Sequence, residues 1–213
     1  MTEPPAGSLR QVLDRARALG FLGPGVPDSH IRHAGAFAAA AEARFGPDGP
    51  ARFLDLGSGA GIPGLILADR WRRSAAVLID ASSRRCRFAA EAAESLGFAD
   101  RVRVTCGRAE VLGADPELRE AFEVVVARSC AAPAVTAEWA TPFLQIGGVL
   151  IVSEPPESGP TERWPEDGVG RLGFGPARYE RHDNAGVAVL EKISAMPGGY
   201  PRRVGIATKR PRW

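Results

Sequence analysis

Residues Phe53 to Gly64, FLDLGSGAGIPG, constrain this chain more than any other stretch. An apolar run closes on an acid and then delivers Gly57, Gly59 and Gly61. Glycine accepts positive φ and carries no Cβ to keep a ligand away from the main chain, which suits a strand that hands a bound nucleotide to a helix. Two registers fit. Gly59, Gly61 and Gly64 form a G-x-G-x-x-G with Asp80 about 20 residues on, the spacing of a dinucleotide-binding turn. The apolar run, however, stops at Leu56, so the turn begins at Gly57, whereas the dinucleotide register would place Asp55 and the first glycine inside the strand. The favoured reading is therefore D-x-G-x-G-x-G, with Asp55 at the strand's end. A glycine-rich turn without a ligand is the bland alternative.

That register looks like motif I of S-adenosylmethionine-dependent methyltransferases, which makes S-adenosyl-L-methionine the expected cofactor. A length of 213 residues, 45% hydrophobic and 24% charged, suits one globular domain. The expected layout is N-terminal helices over 1–50, a Rossmann-like core over 51–193 and a basic tail over 194–213. No apolar run approaches the roughly 18 residues that cross a bilayer, and MTEPPAGSLRQ has neither a basic start nor an apolar stretch behind it. A cytoplasmic protein without a membrane partner is expected. Cys86, Cys106 and Cys130 are odd in number and widely spaced, which indicates neither a disulfide framework nor a metal site, and the first two sit in patterns that should bury them. The formal charge is only +2, but after Glu191 come Lys192, Arg202, Arg203, Lys209, Arg210 and Arg212 with no acid. Such a tail neutralises phosphates or simply aids solubility.

Residues 8–20 put Leu9, Val12, Leu13, Ala16 and Leu19 on one helical stripe, with Ser8 as N-cap and Gly20 as stop. After FLGPGVP, Asp28 or Ser29 is placed to cap an alanine-rich helix that ends near Phe45. His30 and His33 share a face of it. Their i,i+3 spacing could hold a metal, but no third ligand is near, so packing or surface roles are favoured. From Ala51 strands and helices alternate: strand Arg52 to Leu56, helix Gly61 to Trp71, strand Ala75 to Asp80, helix Ser83 to Leu96 and strand Val102 to Cys106. A fourth strand spans Phe122 to Ala127, a helix Ala134 to Leu144 and a fifth strand Gly148 to Ser153. This alternation implies a parallel sheet. A Pro-rich connection follows, and Ala177 to His182 with Gly186 to Ile193 form an antiparallel hairpin.

Ligands bind outside the carboxyl ends of strands in such sheets, so Asp55, Asp80, Gly107 to Glu110, Arg128 and Glu154 are the informative positions. Asp80 can take both ribose hydroxyls of a nucleoside, or cap the helix that follows it. Arg108 to Glu110 can line an adenine pocket. Arg128 is either a phosphate or carboxylate ligand, or half of an ion pair with Glu138 or Glu123.

Taken in order, DLGSGAGIPGLILA, LIDASSRRCRF, GRAEVLG, VVVARSCAAPAVTAEWATPFLQIGG and the terminal YPRRVGIATKRP resemble the GidB/RsmG family, the bacterial 16S ribosomal RNA guanine-N7 methyltransferases. The resemblance covers most of the chain. It implies an α/β class I methyltransferase fold, a seven-stranded and mostly parallel sheet with one antiparallel strand. Within motif I, to which Asp55, Gly59 and Gly61 also belong, Gly57 and Ile62 would contact the methyl donor. Asp80 would hold the ribose, Ala109 and Glu110 the adenine, and Arg128 would face the site. His33 matches the family histidine, and Arg202, Arg203, Lys209 and Arg210 would contact 16S ribosomal RNA or the small ribosomal subunit. The departures fall on the acceptor side. The N-terminal Asn-rich, Trp-containing segment is shortened, an asparagine expected after His33 is missing, and the lysine usual after the fifth strand is Glu154. That charge reversal opposes phosphate binding by the same route unless Glu154 is paired with Arg163 or Arg128.

Guanine N7 has a free lone pair, so methyl transfer to it needs positioning at about 3 Å rather than a general base, in keeping with a sequence that offers no nucleophile-and-base constellation. Glu154 is the residue expected to stabilise the charge that develops on the base. Two other classes stay open: a small-molecule methyltransferase with a GidB-like core, and a non-catalytic cofactor-binding protein of the ribosome.

Overall fold

The computed structural model describes residues 7–23, 26–155, 163–183 and 185–213. Helix α1 (Leu9–Ala18) starts at Ser8, whose hydroxyl accepts from the Gln11 amide while the Gln11 side chain accepts from the Ser8 amide. That reciprocal pair satisfies two of the donors a helix start leaves open. Helix α2 (Pro27–Phe45) has Val26 at its N-cap rather than Asp28 or Ser29, with proline in its first turn and no side-chain cap. Asp28 instead pairs with Arg10 at 2.5 Å, and the Ser29 hydroxyl donates to the Val26 carbonyl at 2.7 Å.

The core alternates β1 (Arg52–Leu56), α3 (Gly64–Arg70), β2 (Ala75–Asp80), α4 (Ser83–Ser95), β3 (Val102–Cys106), α5 (Ala109–Leu112), β4 (Phe122–Ala127), α6 (Pro133–Ala140) and β5 (Leu144–Glu154). A short α7 (Glu166–Gly170), the hairpin β6 (Arg178–His182) and β7 (Ala185–Glu191), and a final α8 (Ile206–Lys209) complete it. The seven strands lie in the order β3-β2-β1-β4-β5-β7-β6, and β7 alone runs against its neighbours. Several boundaries differ from the sequence pattern, among them the end of α6, which stops at Ala140 rather than Leu144. Helix α3 begins at Gly64 rather than Gly61, because the glycine loop carries positive φ through Gly61. Strand β5 begins at Leu144, and Gly147, at φ 84°, sits within it rather than before it.

Each central strand buries both faces. Phe53, Val124, Val126 and Ile151 face α1 to α4, while Leu54, Val125 and Leu150 face α6 and α7. A sheet covered on both sides produces continuous apolar runs such as FEVVVA rather than alternation.

The residues after Glu191 are not a free basic tail. Lys192 is fully buried, and its ammonium donates to the Glu120 carboxylate and to the Thr141 and Leu144 carbonyls at 3.1, 3.2 and 2.6 Å. Arg202 pairs in two-pronged fashion with Glu138 of α6. Trp213 packs on Trp164 with ring centres 6.5 Å apart and donates from its indole to the Arg163 carbonyl at 3.0 Å. The C-terminal segment is thus docked along α6.

Candidate active site

Chain order places β2 and β3 on one side of β1 and β4 on the other, so the switch in direction falls between the carboxyl ends of β1 and β4. An open α/β sheet forms its ligand crevice at such a switch. Asp55 and Arg128 mark its two lips.

Asp55 is fully buried, and its Oδ2 accepts from the Gly64 amide at 2.7 Å. Burial pushes its carboxyl up to about 7, against the downward pull of the Gly64 amide and the Arg128 cation. Asp55, expected among the cofactor-binding residues, lies beneath the loop and pins the start of α3. The three loop glycines do different work. A Cβ on Gly57 would stand 2.6 Å from Cys130 Sγ, and one on Gly61 would stand 2.7 Å from Leu65. Both are glycine because the protein's own side chains press on them. Gly59, at φ 58°, faces open space, and its amide donates to Asp80 Oδ2 at 2.9 Å. Ile62, expected to contact the methyl donor, is buried in the apolar cluster between sheet and helices.

Asp80 joins two pieces of the site, accepting from Gly59 through Oδ2 and from the Ser82 amide through Oδ1 at 2.8 Å. The N-cap of α4 is Ser82, so the capping alternative for Asp80 does not hold. Each carboxylate oxygen keeps a second lone pair. A cavity of about 180 Å³ opens here, with Leu56, Gly57, Ile79, Asp80, Ala109, Glu110 and Trp139 in its wall. Glu110 Oε1 accepts from the Gly205 amide at 3.0 Å and faces Arg108 at 3.4 Å, while Glu110 Oε2 and the Trp139 indole nitrogen have no hydrogen-bond partner among the described residues. Apolar strand ends, a two-sided carboxylate and two buried polar atoms without partners fit an adenosine.

Ser129 and Cys130 form a partition to a second cavity of about 510 Å³, lined also by His30, His33, Arg128, Glu154, Arg163 and Trp164. Ser129 holds φ 51°, a left-handed turn that a non-glycine residue adopts at a cost. Arg128 Nη2 lies 3.1 Å from His30 Nδ1. Burial and the Arg128 cation both lower the His30 pKa, so the neutral ring is the acceptor. The ion pairs considered for Arg128 are absent: Glu138 holds Arg202, and Glu123 accepts from the Ala51 and Arg52 amides. His33 also lines the cavity, its ring tilted against Phe37 with centres 5.8 Å apart, and burial and Arg128 lower its pKa. His30 is the residue that sequence reasoning set aside. Its i,i+3 relation to His33 was the available signal, and only the fold shows that the shared face meets Arg128.

Glu154 accepts from the Trp164 indole at 2.9 Å and lies 2.7 Å from Arg163 Nε. Its charge is matched by Arg163, the pairing that the sequence left open as an alternative. Arg202, expected to contact RNA, pairs with Glu138, while Arg203, Lys209 and Arg210 are exposed. Cys86 is buried as expected, its thiol donating to the Asp80 carbonyl at 3.2 Å, but Cys106 is exposed at the end of an edge strand. Burial pushes the Cys130 thiol up to about 12, so it stays protonated. Among the described residues no group of three or more His, Cys, Asp or Glu side chains could hold a metal ion, and no helix is long and apolar enough to cross a membrane.

Sheet order, crevice and cavity define a class I S-adenosylmethionine-dependent methyltransferase. Solved structures share the fold. The O-methyltransferase from Bacillus cereus in complex with SAH matches with TM-score 0.59 and 18% identity, covering 86% of this chain and 90% of that one. PigF with SAH matches with TM-score 0.61 and 19% identity, covering 85% and 59%. The family model GidB, described as rRNA small subunit methyltransferase G, matches residues 39–154. Ribosomal RNA small subunit methyltransferase G of Deinococcus deserti is 35% identical over 77% of this chain and 69% of its own length, and that of Roseiflexus castenholzii is 34% identical over 77% and 72%. The chain belongs to the rRNA small subunit methyltransferase G family. His30, His33 and the basic C-terminal segment fall outside the span matched by the family model.

Proposed function

We propose that this protein transfers a methyl group from S-adenosylmethionine to guanine N7 of 16S ribosomal RNA, acting in the cytoplasm on the small ribosomal subunit or its RNA. The observation that carries this reading is the shared Ser129–Cys130 wall between an adenosine-sized cavity and a larger one lined by arginines and histidines.

When bound, S-adenosylmethionine supplies an electrophilic methyl group on a sulfonium. The chain's task is then to place the acceptor's lone pair in line with that methyl. Asp80 and Glu110 present carboxylate oxygens toward the nucleoside, and the open side of Gly59 lets the loop come close. Arg128, held against His30 at the end of β4, projects from the partition between the cavities. Neutral His30 and His33 add no charge to a base that becomes cationic on methylation. N7 has no proton to lose, so a site whose carboxylate Glu154 is already paired with Arg163 suits it. Arg203, Lys209 and Arg210 lie exposed on the docked C-terminal segment, where phosphate neutralisation is available.

The test is mass spectrometry of 16S ribosomal RNA from cells with and without the gene. Loss of one 7-methylguanosine, restored by the wild-type chain and not by Asp80→Ala, is the expected result. An unchanged modification profile sinks the proposal.

A further inference from the structure

We propose that Arg163, braced by Glu154, forms a phosphate subsite in the second cavity and takes the phosphodiester that flanks the acceptor base. The inference rests on the reading of the acceptor as a nucleotide. Strand β5 ends in Glu154, which is 6% exposed, and its two oxygens have separate tasks: Oε1 accepts from the Trp164 indole at 2.9 Å, and Oε2 lies 2.7 Å from Arg163 Nε.

A guanidinium held at Nε by charge contact with Glu154, without hydrogen-bond alignment, still has its two terminal nitrogens, a planar fork that matches two oxygens of a phosphate. The Arg163 side chain keeps 36% of its surface exposed, and the residue lines the cavity. Its backbone is fixed as well, because the Arg163 carbonyl accepts from the Trp213 indole at 3.0 Å. The brace therefore acts on side chain and main chain together, which reduces the ordering cost of gripping an anion. Charge points the same way. Among the described residues Arg128 and Arg163 line the cavity against one carboxylate, Glu154, and burial lowers the His30 and His33 pKa values, so positive charge is in excess there. A neutral acceptor does not need that excess, and a phosphodiester does. Where the family resemblance leads one to expect a lysine at the end of this strand, the chain has an acid that carries an arginine from the following segment.

The experiment is calorimetric titration of the full-length protein, saturated with S-adenosylhomocysteine, with guanosine and with guanosine 5′-monophosphate. Wild type is expected to bind the monophosphate about tenfold more tightly than the nucleoside, the scale of one charge-assisted hydrogen-bond pair. Arg163→Ala and Arg163→Gln should lose that preference without changing the affinity for guanosine or S-adenosylhomocysteine. Glu154→Gln should keep part of it, and adding Glu154→Gln to Arg163→Gln should cost nothing more. Arg163→Gln is included because its neutral amide stands beside Glu154 where Nε stood, should the alanine variant not fold. A preference that survives in Arg163→Gln, or is missing from wild type, overturns the subsite. Failure of wild type to methylate small subunits from a strain lacking the gene would instead overturn the ribosomal RNA reading, with the phosphate preference intact.

Discussion

The Gly205 amide donates to the Glu110 carboxylate at 3.0 Å across 95 residues of chain, so the docked C-terminal segment and the cofactor cavity share one side chain. Burial raises the Glu110 pKa, but the Gly205 amide and Arg108 outweigh it and the net shift is downward. A depressed folded pKa means that the stabilisation is present above the ordinary glutamate value and is lost as pH falls through the folded value. Glu110→Gln should remove this acid-side slope, and Glu110→Ala should cost about 1–3 kcal/mol. Urea melts at several pH values test both. Melts that superimpose on wild type at every pH would show that the contact contributes nothing.

Asp55 titrates in the opposite sense. Burial raises its pKa from 3.8 to about 7, so the folded state holds the proton more firmly than the unfolded chain does. The stability of wild type relative to Asp55→Asn should therefore decline as pH rises from about 4 to about 7, then level off. A difference independent of pH would mean that Asp55 stays ionised in the folded protein.

Arg128 and Arg202 should separate activity from stability. Arg128 meets His30 rather than a carboxylate among the described residues and lines the larger cavity, so Arg128→Lys should abolish most methyl transfer with little change in Tm, because an ammonium lacks the planar fork. Arg202→Ala leaves Glu138, 2% exposed, without its partner and should cost about 3–5 kcal/mol, partly restored by Glu138→Ala. Thermal melts and a methyl-transfer assay on the same four proteins decide this. An Arg128→Lys variant with full activity would remove it from the site.

The loop glycines offer a sharper contrast. Gly61→Ala drives a Cβ into Leu65 at φ 85° and should lower Tm. At Gly59 a Cβ meets no protein atom within 4 Å, so Gly59→Val should add crowding of the S-adenosylmethionine site to the backbone strain at φ 58°. Asp80→Ala should weaken that binding by about 1–3 kcal/mol. Calorimetry with parallel melts checks all three, and normal binding by Gly59→Val would place the cofactor away from this loop.

Local chemistry was legible in the chain. The apolar run into Asp55, the turn beginning at Gly57 and the βαβ rhythm determined the strands, the parallel sheet and the position of the crevice, because period, turn residues and strand ends are local properties. Charge is different, since a residue type does not reveal its partner. Lys192, Arg202 and Glu154 read as surface or cleft charges, yet the fold gives each an internal partner 10 to 72 residues away: Glu154 takes the Trp164 indole, Arg202 takes Glu138 and Lys192 takes Glu120. The same limit applies to His30, whose value depends on α2 being laid beside the end of β4, 98 residues along the chain at Arg128. Sequence alone determined where a nucleotide can bind. Which side chains remain free to bind it was decided by tertiary structure, because an ion pair or hydrogen bond forms between neighbours in space and leaves no periodicity in the chain.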